Sequence, residues 1–316
     1  MNIFVTGACG YKGTVLVPKL LLAGHNVTAF DLMWFGNKLL PHDNLSVIQG
    51  DVRKIKDFSF EGFDAVIHLS SVANDPCGDL NPKLTWEISA LATMLLAENA
   101  YKYNVSQFIY ASSGSVYGIK EEAEVTEDLD LEPISEYNKT KMISERVLLS
   151  YQDKMSIQIV RPATVCGYSP RMRLDVAVNM LTMQALTNKK ITVLGGEQTR
   201  PNIHMQDITD VYIHFLNDPT ITGIYNAGFE NISILDIANI IASEIDTEIE
   251  IKESNDPRSY RVNSDKLLST GFTPSKTVKD AIIEIKNLYE SGDLQDKDEF
   301  YNLKWMQEHK LYDLDD

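Results

Sequence analysis

The feature that most constrains the fold is a glycine-rich turn near the start of the chain. An apolar run over residues 3–6 leads into Gly7-Ala8-Cys9-Gly10-Tyr11-Lys12-Gly13, and a helical pattern of apolar residues follows over 14–23. Glycine allows a tight turn close to a pyrophosphate, and the N-terminus of the next helix offers free N–H groups and a partial positive charge. The G-x-x-G-x-x-G spacing is a variant of the dinucleotide-binding fingerprint, although such turns also occur for steric reasons alone. We therefore expect a strand–turn–helix unit that can bind a dinucleotide.

An acidic residue follows at the distance that this fingerprint requires. Asp31 ends a second predicted strand 18 residues after Gly13, near the offset of about 20 residues at which a carboxylate accepts the adenosine ribose hydroxyls. No arginine or lysine occurs between Val27 and Asn37 to neutralise a 2′-phosphate, so NAD is favoured over NADP. Asp51, after the third predicted strand, either reaches the adenine side or belongs to an ordinary turn.

Predicted strands and helices alternate through the first half of the chain. The further strand candidates are 27–30, 46–48, 65–69, 107–111 and 157–160, and the helix candidates are 86–103 and 137–151. Because these strands are mostly apolar rather than alternating, we expect a parallel sheet covered by helices on both faces. The predicted fold class is α/β, a Rossmann-type doubly wound parallel sheet.

The second half of the chain is less regular. Its predicted helices are 175–186, 234–245 and 278–289, its strands are 190–194 and 223–226, and its loops are 195–201 and 253–258. Residues 292–316 mix acidic and aromatic side chains. We expect a docked terminal helix followed by a solvated tail, with a partner-binding arm as the alternative.

A serine, a tyrosine and a lysine occur where a catalytic site would lie in such a fold. Ser113 follows the predicted strand 107–111, and the carboxyl ends of parallel strands line the ligand crevice. Tyr137 and Lys141 share one helix face at positions i and i+4. A free tyrosine has a pKa near 10, which a close ammonium lowers by roughly one to three units, and an oxidised nicotinamide would add a second positive charge. Ser113 would steady the developing alkoxide. The Tyr-x-x-x-Lys spacing alone is common in helices, so its meaning depends on the serine strand and the glycine turn.

Charge and cysteine content exclude several classes of function. The net charge is 29 − 45 = −16, which disfavours nucleic acid and anionic membrane surfaces as partners. Three cysteines far apart in sequence argue against a disulfide scaffold or a zinc site, and free thiols favour a cytoplasmic location. We find neither a signal-peptide pattern nor an apolar run of about 18 residues that could span a membrane.

Taken together, these motifs resemble the extended short-chain dehydrogenase/reductase family, in its NAD-dependent epimerase/dehydratase branch that acts on nucleotide sugars. The matching segments are Thr6–Gly13, Asp31, Gly50-Asp51-Val52, Ile67-His68-Leu69-Ser70, residues 112–118, residues 135–141, Arg161-Pro162 and residues 200–207. The resemblance implies an NAD-binding domain over 1–164, rejoined by about 203–232, and a smaller C-terminal domain over 165–316 that mainly binds substrate.

The resemblance also implies roles for individual residues. Ser113, Tyr137 and Lys141 would be the catalytic residues. The cofactor-binding residues would be Gly7, Gly10, Tyr11, Gly13, Asp31, Asp51, Val52, Leu69, Tyr137 and Lys141. The substrate-binding residues would be Ser113, Ser115, Asn179, Arg200 and Arg258. Arg171 and Arg173 either contact substrate or form loop salt bridges, and His204 is expected to be structural.

Three functions remain open from the sequence. The first is a nucleotide-sugar 4-epimerase that uses NAD, and the second is a 4-dehydrogenase or 4-ketoreductase on the same substrate class. Gly114 and Ser115 stand where dehydratases and decarboxylases of this branch carry carboxylates, so those reactions are disfavoured. A non-catalytic NAD sensor is disfavoured because Tyr137 and Lys141 are both present. The resemblance further implies a homodimer that pairs through the helices predicted at 86–103 and 137–151.

Overall fold

The structure, a computed structural model, describes residues 1–253 and 259–313. The strands are β1 (Asn2–Thr6), β2 (Asn26–Asp31), β3 (Leu45–Gln49), β4 (Ala65–His68), β5 (Gln107–Ala111), β6 (Ser156–Pro162), β7 (Thr164–Cys166), β8 (Lys190–Leu194), β9 (Thr199–His204), β10 (Gly223–Ala227), β11 (Glu230–Ser233) and β12 (Glu248–Lys252). The helices are α1 (Gly13–Leu22), α2 (Asp75–Gly78), α3 (Pro82–Trp86), α4 (Ala92–Lys102), α5 (Glu136–Leu149), α6 (Ala177–Asn188), α7 (Met205–Asn217), α8 (Ile234–Glu244), α9 (Asp265–Leu268), α10 (Val278–Ser291) and α11 (Asn302–Glu308).

Seven strands of the described chain form one parallel sheet in the order β10-β6-β5-β4-β1-β2-β3. The strand order reverses between β1 and β4, because the chain first builds outward through β2 and β3 and then returns to the other side of β1. Ligands of open α/β sheets bind at such a switch point, outside the carboxyl ends of the strands. The predicted fold class is confirmed.

The side chains of β1 show why helices cover both faces of the sheet. Successive residues of a strand point to opposite faces. Ile3 and Val5 accordingly pack in one core with Leu16 of α1 and Phe215 of α7, whereas Phe4 packs in a second core with Leu96 of α4. All these side chains are buried. A strand with consecutive apolar residues therefore requires a helical layer on each side.

The second half adds two small sheets, β11-β9-β7 and β12-β8, packed with α6, α8 and α10. Here the sequence predictions were partly wrong. Residues 195–201 were expected to be a loop, but β9 begins at Thr199 because its backbone pairs with β7 and β11. The elements α7, β7, β11 and β12 were not predicted. Of the predicted loop 253–258, only Glu253 lies within the described residues.

Two helical segments differ from their predicted outline. The helix expected at 86–103 is divided into α3, a π-helical turn over Glu87–Leu91, and α4. The docked helix expected near the end of the chain is confirmed as α11. Its Met306 is buried in the second core, and the Trp305 indole N–H donates to the carbonyl of Trp34 at 2.9 Å. Within 1–253 and 259–313, no helix has both the length and the apolar character that a membrane crossing requires.

Candidate active site

A cavity of about 1100 Å³ opens at the carboxyl ends of the main-sheet strands. Typical small-molecule sites have volumes of roughly 300–1000 Å³, so this cavity has room for a large ligand or for two ligands side by side. Its wall consists of the turn after β1, the ends of β2, β4 and β5, the first turn of α5, and residues between 162 and 177. The cavity therefore occupies the switch-point position.

The glycine turn forms one wall of the cavity, and sterics explain two of its glycines. Gly7 has a φ of +66°, and a Cβ there would lie 2.7 Å from a backbone nitrogen of the segment after β4. A Cβ at Gly13 would lie 2.4 Å from the carbonyl oxygen of Ala8. Gly7, Gly10, Tyr11 and Gly13 all line the cavity. One side of the turn therefore packs tightly against neighbouring backbone, and the other side borders the cavity.

Asp31 lies in the cavity wall, next to the glycine turn that precedes α1. Its carboxylate accepts hydrogen bonds from the backbone N–H of Cys9 at 2.9 Å and of Met33 at 2.7 Å. Burial raises the pKa of Asp31, whereas these two hydrogen bonds lower it. The carboxylate is therefore held beside the glycine turn in the cavity wall.

Asp51, Val52 and Leu69 also line the cavity. Asp51 pairs with Arg53 at 2.8 Å and accepts a hydrogen bond from the Arg53 N–H at 2.9 Å, which caps a short 3-10 turn over Val52–Asp57. The two interpretations of Asp51 are therefore compatible, because it fixes a turn and borders the cavity at once.

The structure brings Ser113, Tyr137 and Lys141 together at the end of β5. Ser113 hydrogen-bonds both Tyr137 and, at 2.7 Å, the hydroxyl of Ser115. Lys141 donates to the carbonyl oxygen of Ala111 at 2.7 Å, and its Nζ lies 5.8 Å from the centre of the Tyr137 ring. Ser115 in turn bonds the side chain of Asn138. The predicted trio is one connected polar cluster in the cavity wall.

The protonation of this cluster differs from the expectation based on the lysine alone. Burial raises the pKa of Tyr137 to about 12, and the Ser113 hydrogen bond and the charge of Arg173 act in the opposite direction. Burial also lowers the pKa of Lys141 well below its usual value, with Lys12 adding repulsion and Glu145 opposing it. The charges of the chain itself therefore leave the phenol of Tyr137 protonated at neutral pH.

A buried ion pair between Arg161 and Glu145 packs against the end of β5, next to Ser113. The Glu145 carboxylate accepts from Arg161 Nε at 2.9 Å and Nη2 at 2.6 Å, and also from the hydroxyl of Ser112. Arg161 Nη1 donates to the hydroxyl of Tyr117 at 2.7 Å. These side chains join α5, β5 and β6, and so they fix the position of Ser113 relative to the helix that carries Tyr137.

The residues predicted to bind substrate separate into different groups. Ser115 and Arg200 line the cavity, whereas Arg258 lies outside the described residues. Arg173 lines the cavity but pairs with Asp175 at 2.8 Å. His204 caps α7 through its Nδ1, which accepts from the Gln206 N–H at 3.0 Å, as expected of a structural histidine.

Asn179 requires a correction. It is fully buried and is not among the described residues that line the cavity. Its Oδ1 accepts from the Gly167 N–H at 2.9 Å, and its Nδ2 donates to the Tyr11 hydroxyl at 2.9 Å and to the Arg173 carbonyl at 2.8 Å. Because both ends of the amide are used within the protein, Asn179 orders the wall of the cavity, and its fully buried side chain does not border the cavity.

The sequence interpretation missed several cavity residues that follow β4. Asp75 accepts a hydrogen bond from the Ser135 hydroxyl at 2.6 Å, and its charge raises the pKa of Tyr137. Asn74 has a φ of +78° and a ψ of 161°, a conformation that costs a residue other than glycine roughly 1–3 kcal/mol and is concentrated at functional sites. The sequence signal was an Asn-Asp pair at the end of the segment that follows β4, but no spacing connected this pair with the trio.

The residues present suit NAD. The turn offers a close backbone approach, Asp31 offers a ribose acceptor, and the cavity wall also contains the cations Lys12, Lys141 and Arg171. Burial lowers the pKa of Lys12 to about 8 and of Arg171 to about 9. Buried cations without enough negative charge nearby are what an anionic dinucleotide would complement.

Comparison with known proteins agrees with this site. A sequence profile described as the NAD dependent epimerase/dehydratase family matches residues 3–228, so the chain belongs to that family. It is an NAD-dependent enzyme of the extended short-chain dehydrogenase/reductase type.

Individual relatives show how much of the chain is covered. The chain is 31% identical over 259 residues to a protein of Bacillus subtilis named "Uncharacterized UDP-glucose epimerase YtcB", which covers 76% of this chain and 81% of that protein. It is 27% identical over 299 residues to a putative UDP-glucose 4-epimerase of Methanocaldococcus jannaschii, covering 90% and 97%. The solved structure of MoeE5 in complex with UDP-glucose and NAD superposes with a TM-score of 0.81 at 24% identity, covering 92% of this chain and 99% of that one. The structural match supports the fold.

Proposed function

We propose that the protein is an NAD-dependent nucleotide-sugar epimerase that inverts the C4 carbon of its substrate. The observation that carries the proposal is the single cavity in which Ser113, Tyr137 and Lys141 stand beside the glycine turn. Relatives named as UDP-glucose epimerases over most of the chain support the substrate class. The absence of a carboxylate at Gly114 and Ser115 favours epimerisation over dehydration or decarboxylation.

Tyr137 is the proposed base. It accepts the proton of the C4 hydroxyl, while Ser113 donates a hydrogen bond to the same oxygen as negative charge develops on it. Lys141 adds positive charge beneath the phenol. NAD, when bound, supplies the acceptor and later the donor of the C4 hydride. In the return step Tyr137 gives the proton back to the oxygen, so an epimerase completes its cycle without net oxidation.

The alternative is a nucleotide-sugar 4-dehydrogenase or 4-ketoreductase, for which the same trio suffices. Relatives named as UDP-glucose epimerases over most of the chain favour the epimerase.

A substrate labelled with deuterium at C4 distinguishes the two reactions. UDP-, GDP-, CDP- and dTDP-sugars are incubated with the enzyme, epimers are separated by chromatography and identified by NMR, and NADH absorbance is followed. We expect an epimer that keeps deuterium at C4 and no net formation of NADH. Deuterium transferred stoichiometrically to NADH, with no epimer formed, would establish the dehydrogenase. Tyr137→Phe is the inactive control for both.

We also propose that the protein is a homodimer that pairs through the helices at its α4–α5 surface. Leu91, Met94 and Tyr101 form an exposed apolar stripe. Ile143 of α5, two residues after Lys141, is exposed as well. A second copy of the same surface would cover these side chains by two-fold symmetry. Light scattering should report twice the chain mass for the native protein and a monomer for Met94→Glu. A native monomer at micromolar concentration would contradict the proposal.

A further inference from the structure

Arg171 is a buried cavity residue whose role neither the trio nor the proposed reaction explains. It follows β7 in the chain, lines the cavity, and is only 3% exposed. Its guanidinium stacks on the ring of Phe35 at 3.8 Å. Nη1 donates to the carbonyl of Met172 at 3.1 Å and Nη2 to the side-chain oxygen of Asn302 at 2.6 Å, but Nε has no hydrogen-bond partner among the described residues.

The other buried arginines near the cavity show what Arg171 lacks. Arg161 pairs with Glu145 at 2.6 Å and Arg173 pairs with Asp175 at 2.8 Å. Within the described ranges, no carboxylate contacts Arg171. Burial together with repulsion from Arg173 lowers its pKa to about 9, and the charges of Asp175, Asp31 and Glu299, which make no direct contact with it, oppose this shift only in part. An aromatic face and two neutral acceptors compensate a buried cation only in part, so an anion is the missing partner.

The surroundings of Arg171 indicate which ligand supplies that anion. Phe35 and Trp34 follow Asp31 at the end of β2, and both line the cavity. The charge of Arg171 also lowers the pKa of Asp31. The guanidinium therefore belongs to the side of the cavity where Asp31 is placed for the adenosine ribose.

Helix α11 holds this arrangement in place. Asn302, at its first position, accepts the Nη2 hydrogen bond of Arg171 and donates its backbone N–H to Asp175 at 3.1 Å. Trp305, one turn further, donates to the carbonyl of Trp34. One short helix thus ties the loop that carries Arg171 to the loop that follows β2.

We propose that Arg171 is an NAD-binding residue that contacts the phosphate oxygens of the dinucleotide, and that Asn302 positions it from α11. No lysine or arginine occurs between Val27 and Asn37, and Lys38, the next basic residue of this loop, pairs with Glu299 at 3.5 Å. The fold supplies Arg171 from the other half of the chain. A guanidinium fork suits phosphate oxygens. The proposal rests on the NAD dependence of the family and is independent of which sugar is converted. The diphosphate of a nucleotide sugar has the same chemistry, so the test must separate the two sources.

Equilibrium binding measurements distinguish the phosphates of NAD from those of the nucleotide sugar, and they require no turnover. NAD+ and UDP are titrated separately, by calorimetry, into the full-length protein, Arg171→Gln, Arg171→Lys and Asn302→Ala. Arg146→Gln removes an exposed arginine of α5, and Lys304→Gln changes an exposed residue of α11, so these are the matched controls. We expect Arg171→Gln to weaken NAD+ binding about 10- to 100-fold, the range typical of a hydrogen bond to a charged group. Arg171→Lys and Asn302→Ala should show smaller losses, and UDP binding should stay close to that of the native protein.

The remaining outcomes decide against the proposal. Unchanged NAD+ affinity in Arg171→Gln, or a larger loss for UDP than for NAD+, would overturn it, the second by assigning Arg171 to the substrate. If Arg171→Gln does not fold, Asn302→Ala decides, and unchanged NAD+ affinity there overturns the positioning role. The salt dependence gives a further readout, because a phosphate contact predicts that NAD+ affinity falls with ionic strength more steeply in the native protein than in Arg171→Gln.

Discussion

Replacing Lys141 by methionine separates catalysis from stability at the site. Lys141 is 2% exposed, and its ammonium makes one hydrogen bond of 2.7 Å, to the carbonyl of Ala111. Methionine has a similar length and no charge. If the ammonium favours the phenolate of Tyr137 by one to three pKa units, its loss should reduce kcat by about 10- to 1000-fold.

The same change should not destabilise the fold. A hydrogen bond from a charged group contributes about 1.5–3 kcal/mol, whereas the effective cost of burying an ion is several kcal/mol. Burial lowers the pKa of Lys141 well below 10.5. Between that lowered pKa and 10.5, the unfolded chain holds a proton that the folded chain has released, so native stability rises with pH across this window. The methionine variant lacks this pH dependence. Its free energy of unfolding should therefore compare most favourably with that of the native protein at lower pH.

Urea unfolding over a pH series, together with initial rates, measures both effects. Lys139→Met, on the exposed side of the same helix where Lys139 pairs with Glu136, is the matched control and should change stability by less than about 1 kcal/mol. A Lys141→Met protein that loses more than about 2 kcal/mol of stability, with a rate that falls only in proportion to the folded fraction, would refute the reasoning.

Three further predictions concern the surroundings of the trio. Glu145→Gln should cost about 3–5 kcal/mol of unfolding free energy in urea melts because it leaves a buried guanidinium without its counter-ion, whereas Lys304→Gln, at an exposed ion pair, should cost less than about 1 kcal/mol; equal effects would contradict the assignment. The charge of Asp75 raises the pKa of Tyr137, so Asp75→Asn should move the rise of kcat/KM with pH toward lower pH, and an unmoved or opposite profile would count against it. Gly13→Ala places a Cβ 2.4 Å from a backbone oxygen, so calorimetry should detect strongly weakened NAD+ binding, and native affinity would show that the turn can relax.

Features that are local in sequence were predictable. The glycine turn, Asp31 and the pair Tyr137 and Lys141 each follow from a strand end or a helix spacing, and the structure places all of them around one cavity. Strand β9 was missed because its identity depends on pairing with two strands distant in the chain.

Features that depend on long-range packing were not predictable. Asn179 was assigned to substrate because its position in the motif matched, but its amide is turned toward Gly167 and Tyr11. Arg171 was named from the sequence only as a substrate contact or a loop salt bridge, because its place in the cavity wall depends on packing against Phe35, far away in the chain. Asp75 likewise meets Ser135, which lies 60 residues further along the chain. The pKa of Tyr137 likewise depends on burial, which a spacing of four residues does not reveal.

The central claim is that the phenol of Tyr137 is the base that removes a proton from the substrate hydroxyl beside bound NAD. Its most direct test is Tyr137→Phe, measured for NAD+ affinity by calorimetry and for turnover across the nucleotide-sugar panel. We predict NAD+ affinity near that of the native protein and turnover reduced by at least about 100-fold, the lower part of the range for a general base. Turnover within a few-fold of native, with the variant folded and loaded with NAD, would contradict the account.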